Sequence, residues 1–297
     1  MKGAIDIGTN TVRLLVADLA GGRLVDVERL TEIVGLGRGV DATGRFDPGR
    51  VEHALAVLTN YSARLRFHGV SQVRAVATSA TRDAEDGSEF LDRVAAVLGF
   101  QPELIDGVEE AALSFRGAVA ALPGDHPTLV IDPGGGSTEF VLGAGGPDYS
   151  VSLDIGSVRL TERLLPERPA SPDRVTAATE EVAEIFGLVR LPAVPARVIG
   201  VAGTFTSLAA ISLGLDAYDR EAVHGSTLTM ADLDRLVDRL AGLTVEETAA
   251  IPSLEPKRAP VLLGGAIVAR EAVRASGRDS VTVSEADLLD GIVRGLG

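Results

Sequence analysis

The pattern of apolar and polar positions divides the first part of the chain into alternating strands and helices. Residues 3–19 predict a strand, a Gly turn and a second strand, and residues 23–28 continue as a third strand. The next stretch has Asp47 as a candidate N-cap and Pro48 at the first helical position, followed by apolar residues at helical spacing. Further along, VRAVATSA and PELIDG predict strands, and EFLDRVAAVLG and EEAALSFRGAVAAL predict helices.

The second part of the chain repeats this alternation after a polar break at 124–127. The segment TLVIDPGGGSTEFVLG again predicts a strand, a Gly turn and a strand, and residues 172–189 and 230–241 predict helices. Residues 200–207 follow an apolar strand and open another helix. Strands that alternate with helices in this order indicate an α/β architecture. A chain of 297 residues is expected to form about two domains.

An internal repeat links the two Gly turns. The run DIGTNT, which starts at Asp6, aligns without gaps with DPGGGS, which starts at Asp132, at an offset of 126 residues. Each run follows an apolar strand start and precedes a second apolar strand. The repeat therefore predicts two similar domains, each with a hairpin loop that carries an Asp, a Gly turn and a hydroxyl. Two such loops facing each other across a cleft would hold a phosphate chain.

The three consecutive glycines of the second turn allow two interpretations. Glycine runs form turns because glycine tolerates positive φ. They also let backbone N–H groups surround an anion. The second interpretation predicts a preceding strand, an adjacent hydroxyl and further phosphate ligands elsewhere in the chain. Both interpretations hold together if the turn is what builds the anion cradle.

Composition and charge exclude several classes of function. The chain has no cysteine, which excludes disulfides, thiolate metal sites and a cysteine nucleophile. Its net charge of −14 argues against non-specific binding to duplex nucleic acid, which needs a broad basic surface. The start MKGAIDIG has no apolar signal-peptide region, and no apolar stretch is long enough to span a membrane. We therefore expect a soluble cytoplasmic protein.

Seven segments carry a family resemblance, and they occur in the order AIDIGTNTVRLLVAD, AVATSATRDAEDG, DGVEEAALSFRGAV, VIDPGGGSTEFVLG, LDIGSVRLTERLL, VIGVAGTFTSLAA and RAPVLLGGAIVAREAV. Together they resemble the exopolyphosphatase and guanosine pentaphosphatase (Ppx/GppA) family over nearly the whole chain. That family belongs to the superfamily of actin-like ATPases, sugar kinases and Hsp70 proteins. The resemblance implies two ribonuclease-H-like α/β domains with a cleft between them. Within the family, the chain resembles the short members, which have two domains.

The resemblance also implies domain limits. The first domain would span 1–124 and the second 125–284. A last helix, 285–297, would pack back on the first domain.

The resemblance implies a hydrolase that cleaves a terminal phosphoanhydride with Mg²⁺. This chemistry needs neutralisation of the charge on the phosphoryl groups and an oriented water. Glu110 aligns with the family's catalytic base, which would activate that water. Without the family context, the simpler interpretation of Glu110 is a first-turn glutamate that complements the helix dipole. We expect Glu109 beside it to cap the helix or to be solvated.

Three carboxylates are implied as metal ligands. Asp132 and Glu139 resemble the family's magnesium-linked carboxylates, and Asp6 shares that role from the first domain. Residues at an odd offset on one regular strand point to opposite faces. We therefore expect Asp132 and Glu139 to approach one ion only through the shape of the loop between them. The alternative for each Asp is a turn cap that bonds its own loop.

Both Gly turns are implied as phosphate ligands through their backbone N–H groups and polar side chains, and the alternative is ordinary hairpin-turn chemistry. The implied ligands are Gly134, Gly135, Gly136 and Ser137 in the second turn, and Asn10 and Thr11 in the first turn. Pro133 stands where the family usually has an aliphatic residue. It fixes φ and removes an N–H, so we expect a stiffer cradle with one donor fewer.

Arginines are the remaining phosphate ligands that the resemblance implies. Arg82 matches the family's phosphate-binding arginine, and a planar guanidinium fork suits phosphate oxygens. The alternative for Arg82 is a salt bridge with Asp83 or Asp86. The weaker candidates are Arg13, Arg159 and Arg258.

Four functions stay open at this point. The first is an exopolyphosphatase that releases orthophosphate from the end of inorganic polyphosphate, with short chains expected for a short family member. The second is a hydrolase of guanosine pentaphosphate, with guanosine tetraphosphate as a related ligand. Aromatic residues make up only 4% of the chain, so base stacking would fall to an arginine or to Tyr218.

The third function is an ATP-dependent kinase of the same superfamily, although no sugar-binding signature is present. The fourth is a non-catalytic polyphosphate or alarmone sensor. A homodimer rests on the resemblance alone.

Overall fold

The computed structural model describes residues 1–21 and 23–296. The chain forms two compact units: the first unit comprises Met1–Gly117 and Asp287–Gly297, and the second unit comprises Ala118–Ala286. These limits are close to the sequence-based limits of 1–124, 285–297 and 125–284.

Strands and helices alternate in both units, so the predicted α/β class is confirmed. The elements up to the end of the fifth helix are β1 (Lys2–Ile7), β2 (Thr11–Ala20), β3 (Arg23–Ile33), α1 (Val40–Thr43), α2 (Pro48–Phe67), β4 (Gln72–Ala77), α3 (Ser79–Asp83), α4 (Gly87–Leu98), β5 (Glu103–Leu104) and α5 (Gly107–Ala121). The remaining strands are β6 (Thr128–Pro133), β7 (Thr138–Gly143), β8 (Tyr149–Leu153), β9 (Arg197–Gly200), β10 (Thr227–Thr229) and β11 (Ser280–Val283). The remaining helices are α6 (Ser157–Leu164), α7 (Pro172–Phe186), α8 (Ala202–Ser212), α9 (Arg220–Val223), α10 (Met230–Ala241), α11 (Val245–Ala249), α12 (Ala259–Ala275) and α13 (Leu288–Gly295), and a 3₁₀ turn covers Pro256–Arg258.

The first unit is built on a five-stranded mixed sheet in the order β3-β2-β1-β4-β5. The first three strands in the chain pair antiparallel, and β4 runs parallel to β1. One face of the sheet packs Ile5 and Leu14 against α2 and α4. The other face packs Ala4 and Leu15 against α5 and α13. The last helix of the chain therefore belongs to the core of the first unit.

The second unit is built on a six-stranded sheet in the order β10-β11-β9-β6-β7-β8. The hairpin of β6 and β7 is antiparallel, and β9 runs parallel to β6. Ile131 and Phe140 belong to one large apolar cluster that also includes buried side chains of α7, α8, α10 and α12. The same order of hairpin and parallel strand appears in the first unit, as the internal repeat predicts.

Local signals set several of the helix limits. Asp47 accepts a hydrogen bond from Arg50 N–H (3.0 Å) as the N-cap of α2, and Pro48 occupies the first turn, as predicted. Gly99 ends α4 with a φ of 84°, a conformation that glycine adopts without strain.

One predicted strand is shorter than expected. The segment VRAVATSA is a strand only as far as Ala77, and Ser79 already begins α3. Thr78 makes the last contact of the ladder, from its N–H to Ile7 O (3.2 Å). Thr81 N–H then bonds Thr78 O (3.0 Å), which starts a helical turn and brings Arg82 to the strand end. Of the helices that the structure describes, none is long and apolar enough to cross a membrane.

Candidate active site

The first Gly turn, between β1 and β2, is closed by a hydrogen bond from Gly8 N–H to Thr11 O (2.9 Å). Asp6 and Arg13 lie directly opposite each other in the ladder. Arg13 donates from Nε (2.8 Å) and from Nη2 (2.7 Å) to Asp6 Oδ2. Asp6 Oδ1 is buried without a hydrogen-bond partner among the described residues. Burial raises the pKa of Asp6, and the guanidinium of Arg13 opposes this rise.

The second Gly turn, between β6 and β7, has the same closing bond, from Gly134 N–H to Ser137 O (2.9 Å). Here Asp132 lies directly opposite Glu139 in the ladder. Directly opposed residues of an antiparallel pair project from the same face, with Cβ atoms about 4.5–5.5 Å apart. Both carboxylates are buried, and Ser152 Oγ donates to Glu139 Oε1 (2.7 Å). The expectation that only the loop shape could bring these two carboxylates together was wrong, because the hairpin register does so.

The two hairpins differ at one position of the repeat. Arg13 and Glu139 occupy the same place, since their numbers differ by the repeat offset of 126. The first hairpin therefore neutralises its aspartate with an arginine, whereas the second places a second carboxylate there. Like charges directly opposite each other destabilise a ladder unless a cation or proton relieves the repulsion.

The peptide groups of the second turn are oriented by α6. Three successive carbonyls of the turn accept hydrogen bonds from the start of that helix: Ser157 N–H to Gly134 O (3.0 Å), Val158 N–H to Gly135 O (2.9 Å) and Arg159 Nε to Gly136 O (3.0 Å). In a planar trans peptide the N–H points opposite to the carbonyl. The N–H groups of Gly135, Gly136 and Ser137 therefore point away from α6.

These three N–H groups form no backbone hydrogen bond within the part of the chain that the structure describes. Successive N–H groups that point in one direction make an anion-binding concavity. Pro133 lies before all three, so its missing N–H does not reduce this set. Gly156 is essential to the packing, because a Cβ there would lie 2.6 Å from Gly135 C and O.

The first turn is held in a similar way by residues 34–39, a Gly-rich loop after β3. Thr9 O accepts from Gly37 N–H (2.8 Å), and Asn10 O accepts from Gly35 N–H (2.9 Å). The N–H groups of Asn10 and Thr11 therefore point away from this loop. Asn10 Oδ1 is buried and has no partner among residues 1–21 and 23–296. Both predicted residues thus lie where the first turn can present donors and one unpaired oxygen.

Glu110 and Arg82 are brought together in the first unit. Arg82 Nη1 donates to Glu110 Oε2 (3.1 Å) and to Ile105 O (2.8 Å). The alternative that Arg82 pairs with Asp83 or Asp86 is wrong, because the carboxylate it bonds is that of Glu110. Within the described residues, Nε and Nη2 of Arg82 make no hydrogen bond, so one edge of the guanidinium is open.

Glu109, the neighbour of Glu110, points elsewhere. Its carboxylate pairs with Arg74 Nη2 (2.5 Å) at the surface. Its backbone N–H donates to Asp106 Oδ1 (2.8 Å), which caps the start of α5. The two adjacent glutamates therefore have different surroundings, which makes them a natural pair for comparison.

The third loop, 200–207, opens α8 beside the second turn. Thr204 Oγ1 donates to Pro133 O (3.4 Å). Ala202 has a φ of 66°, a left-handed conformation that a non-glycine residue adopts only at a cost. The guanidinium of Arg258 lies against Gly203, where a Cβ would come within 1.9 Å of Nη1. The segment predicted as a helix-opening loop therefore adjoins the cradle of the second unit.

Comparison with known proteins identifies the relatives of this chain. The Ppx/GppA phosphatase family matches it over residues 9–296. The chain belongs to this family. It is 47% identical to Exopolyphosphatase 2 of Mycobacterium tuberculosis, over 99% of this chain and 97% of that protein. The family predicted from the seven segments is thus confirmed.

Solved structures of the family agree with this fold. The Aquifex aeolicus Ppx/GppA family member is similar with a TM-score of 0.85 and 31% identity, covering 99% of this chain and 96% of that one. An exopolyphosphatase from Cytophaga hutchinsonii is similar with a TM-score of 0.90 and 29% identity, covering 100% of this chain and 98% of that one.

The buried carboxylates of the second hairpin are possible ligands of Mg²⁺. Magnesium is usually held by one or two carboxylates together with water and phosphate oxygens. The opposed pair Asp132 and Glu139 supplies two carboxylates on one face. Across the described residues, no group of three or more His, Cys, Asp or Glu side chains gathers as a metal site. The donor set therefore fits an ion that takes its other ligands from substrate and water.

Sequence reasoning missed two supports of the site. The first is the loop at 34–39, signalled by glycines at alternate positions after a strand. The second is Asp287, which bonds Arg13 Nη1 from the start of α13. No sequence signal indicates this contact, because the two residues are 274 positions apart. Arg13, treated as a weaker phosphate candidate, is an ion-pair partner of two buried carboxylates.

Proposed function

We propose that this Ppx/GppA family member is an exopolyphosphatase, which hydrolyses the terminal phosphoanhydride of inorganic polyphosphate and releases orthophosphate. The observation that carries the proposal is the second hairpin. It has three N–H donors that point away from α6, at Gly135, Gly136 and Ser137. The same hairpin also carries two carboxylates directly opposite each other in the ladder. Exopolyphosphatase 2 of Mycobacterium tuberculosis, at 47% identity, supports the choice of substrate.

The second hairpin would bind the transferring phosphoryl group. Preorganised N–H donors stabilise the charge that develops on phosphoryl oxygens, and they need no reorganisation during the reaction. The cradle, with the hydroxyl of Ser137, supplies such donors. Asp132 and Glu139 would hold Mg²⁺, which when bound neutralises charge on the phosphate oxygens. In the first unit, Asn10 and Thr11 would donate to phosphate, and Asp6 would offer Oδ1 to a cation or to its water.

Glu110 would orient and deprotonate the attacking water. A carboxylate needs a fixed orientation to act as a general base. Arg82 Nη1 supplies this by bonding Oε2, while Ile105 O holds the same nitrogen. The Nε and Nη2 edge of Arg82 has the fork geometry that suits phosphate. One arginine would therefore align the base and bind phosphate at the same time.

A second candidate function is hydrolysis of guanosine pentaphosphate, and Tyr218 favours it. Tyr218 is 46% exposed, while its hydroxyl bonds Glu285 and Thr206. Burial and the Glu285 carboxylate raise the pKa of Tyr218, so the hydroxyl stays protonated. Thr206 belongs to the third loop, which adjoins the cradle. A fixed aromatic face near a phosphate site is suited to stacking a base.

The test is magnesium-dependent phosphate release from polyphosphate, guanosine pentaphosphate and ATP by the wild type, Glu110→Gln and Glu109→Gln. The two variants alter adjacent residues of one helix, so Glu109→Gln is the matched control. We expect Glu110→Gln to lower kcat on polyphosphate by about 10²–10⁴-fold, the usual contribution of a general base. Glu109→Gln should stay within about twofold of the wild type. Binding of polyphosphate without release by the wild type would instead indicate a sensor, and transfer from ATP to an acceptor would indicate a kinase.

A further inference from the structure

A line of buried charges leads from the start of α13 to the first Gly turn. Asp6 and Arg13 lie on the sheet face that packs against α13. Asp6 is 4% exposed and Asp287 is 5% exposed. Arg13 bonds both, through Nε and Nη2 to Asp6 and through Nη1 to Asp287. All three nitrogens of its guanidinium are therefore engaged, and its orientation is defined.

Asp287 is itself held at both carboxylate oxygens. Oδ1 accepts from Leu289 N–H (3.1 Å), which makes Asp287 the N-cap of α13, and Oδ2 accepts from Arg13. Asp290 completes a capping box by accepting from Asp287 N–H (3.1 Å). The position of Asp287 is thus set by the backbone of a helix rather than by a flexible loop.

The same contacts decide which oxygen of Asp6 is free. Arg13 takes Oδ2 with two nitrogens, and Oδ1 has no partner in the described part of the chain. A buried acceptor left unpaired carries a desolvation cost, so an unconstrained carboxylate would turn to share both oxygens. The carboxylate lies next to the turn, since a Cβ on Gly8 would sit 3.8 Å from Oδ2 and 3.9 Å from Oδ1.

The second hairpin has a different pair at this position of the ladder. The repeat places Glu139 where the first hairpin has Arg13, so Asp132 has no arginine opposite it in the ladder. The support from α13 is therefore a separate addition to one of two similar turns.

We infer that Asp287 is a positioning residue for the proposed reaction. Through Arg13 it fixes the rotation of Asp6, so that Oδ1 is presented to the ligand of the first turn, a divalent cation or a water bound to it. This inference rests on the proposed function for its ligand.

The test compares Asp287→Asn with Asp290→Asn. Both residues are buried at the start of α13 and belong to one capping box, but Asp290 bonds Arg29 Nη2 (2.8 Å) rather than Arg13. Asparagine is a good N-cap in Asp287→Asn, and Asp290→Asn keeps the N-cap Asp287, so α13 should form in both variants. The concentration of Mg²⁺ that gives half-maximal phosphate release should rise about tenfold in Asp287→Asn, or about 1.4 kcal/mol. It should stay within about twofold in Asp290→Asn. Asp287→Glu, which restores the carboxylate, should recover part of the loss.

Crystal structures and thermal unfolding of the two variants provide readouts that do not need activity. In Asp287→Asn we expect Arg13 to turn and Asp6 Oδ1 to gain a partner, with a melting temperature close to that of Asp290→Asn. If Asp6 and Arg13 keep their orientation in Asp287→Asn, the inference is overturned even if the wild type hydrolyses polyphosphate. Equal losses in both variants with an unchanged Mg²⁺ requirement would also overturn it. If the wild type has no phosphatase activity, the proposed function fails, while the orientation of Asp6 still decides this inference.

Discussion

Asp132 and Glu139 lie directly opposite each other on β6 and β7, at the place where β1 and β2 carry Asp6 and Arg13. The two hairpins therefore differ in the charge of one residue. In the first hairpin an arginine lies opposite the aspartate, and in the second a buried glutamate lies there. Two like charges directly opposite each other destabilise the folded state, and a bound cation would relieve their repulsion. Sites of this kind typically trade stability for function.

Glu139→Gln should raise the free energy of unfolding while it lowers activity. Glutamine keeps an acceptor for Ser152 Oγ and removes one of the two opposed charges. We expect a gain of about 0.2–1 kcal/mol in urea unfolding and a fall in kcat of about 10²–10³-fold. Ser152→Ala is the control, because it removes the hydrogen bond to Glu139 Oε1 and leaves both carboxylates. Unchanged phosphate release in Glu139→Gln would show that the pair has no part in the reaction.

Gly156→Ala should displace the cradle. The added Cβ would lie 2.6 Å from Gly135 C and O and 2.7 Å from Gly134 O, and none of these backbone atoms can move alone. We expect a loss of stability of about 1–3 kcal/mol and a fall in kcat/KM of about 10²-fold, since a displacement of about 1 Å has this effect. Steady-state kinetics and urea unfolding would measure both.

Gly146→Ala is the matched control for this substitution, because a Cβ at Gly146 meets nothing within 4 Å. It should leave kcat/KM unchanged. If Gly156→Ala behaves like Gly146→Ala, the orientation of the turn by α6 is not needed for binding.

Tyr218→Leu should separate the two candidate substrates. If a base stacks on this ring, the KM for guanosine pentaphosphate should rise by about tenfold, as expected for the loss of one stacking contact. The KM for polyphosphate, which has no base, should change less than about twofold. Tyr218→Phe is the control that keeps the ring and removes the hydroxyl bond to Glu285. Equal KM values in the wild type and Tyr218→Leu for both substrates would remove the support for a base-binding role.

Asp232→Asn should destabilise the protein in a pH-dependent way. Asp232 accepts from Thr229 Oγ1 (2.5 Å) and Thr229 N–H (2.8 Å) at the start of α10, and these bonds lower its pKa from the ordinary value of 3.8. Its carboxylate therefore contributes stability that is complete above pH 3.8 and is lost as the pH falls through the lowered pKa. The variant loses a negative charge near the N-terminus of α10 and should be less stable by about 0.3–1 kcal/mol at neutral pH.

Urea unfolding of wild type and Asp232→Asn from about pH 7 to about pH 3 would check this result. The difference between the two proteins should shrink towards the acid end. A difference that stays constant with pH would mean that the charge of Asp232 does not contribute.

The local parts of the fold follow from local patterns. Asp47 and Pro48 begin α2 and Gly99 ends α4 because caps act over a few residues, which a sequence displays directly. The two Gly turns could be aligned because each is one short hairpin. The sequence pattern predicts a strand beyond Ala77, where the structure has the start of α3. This start depends on the contacts of Thr78, which a local pattern does not display.

By itself the sequence determined the α/β class, the two repeated turns, the family and the residues from which the candidate site is built. Only the tertiary structure decided how those residues pair. Glu110 meets Arg82 across 28 positions, and Asp287 meets Arg13 across 274. Asp132 and Glu139 share a face because of the register between two strands. Periodicity and capping act between near neighbours in the chain, whereas the partner of a buried charge is set by sheet register and helix packing, which bring distant residues into contact.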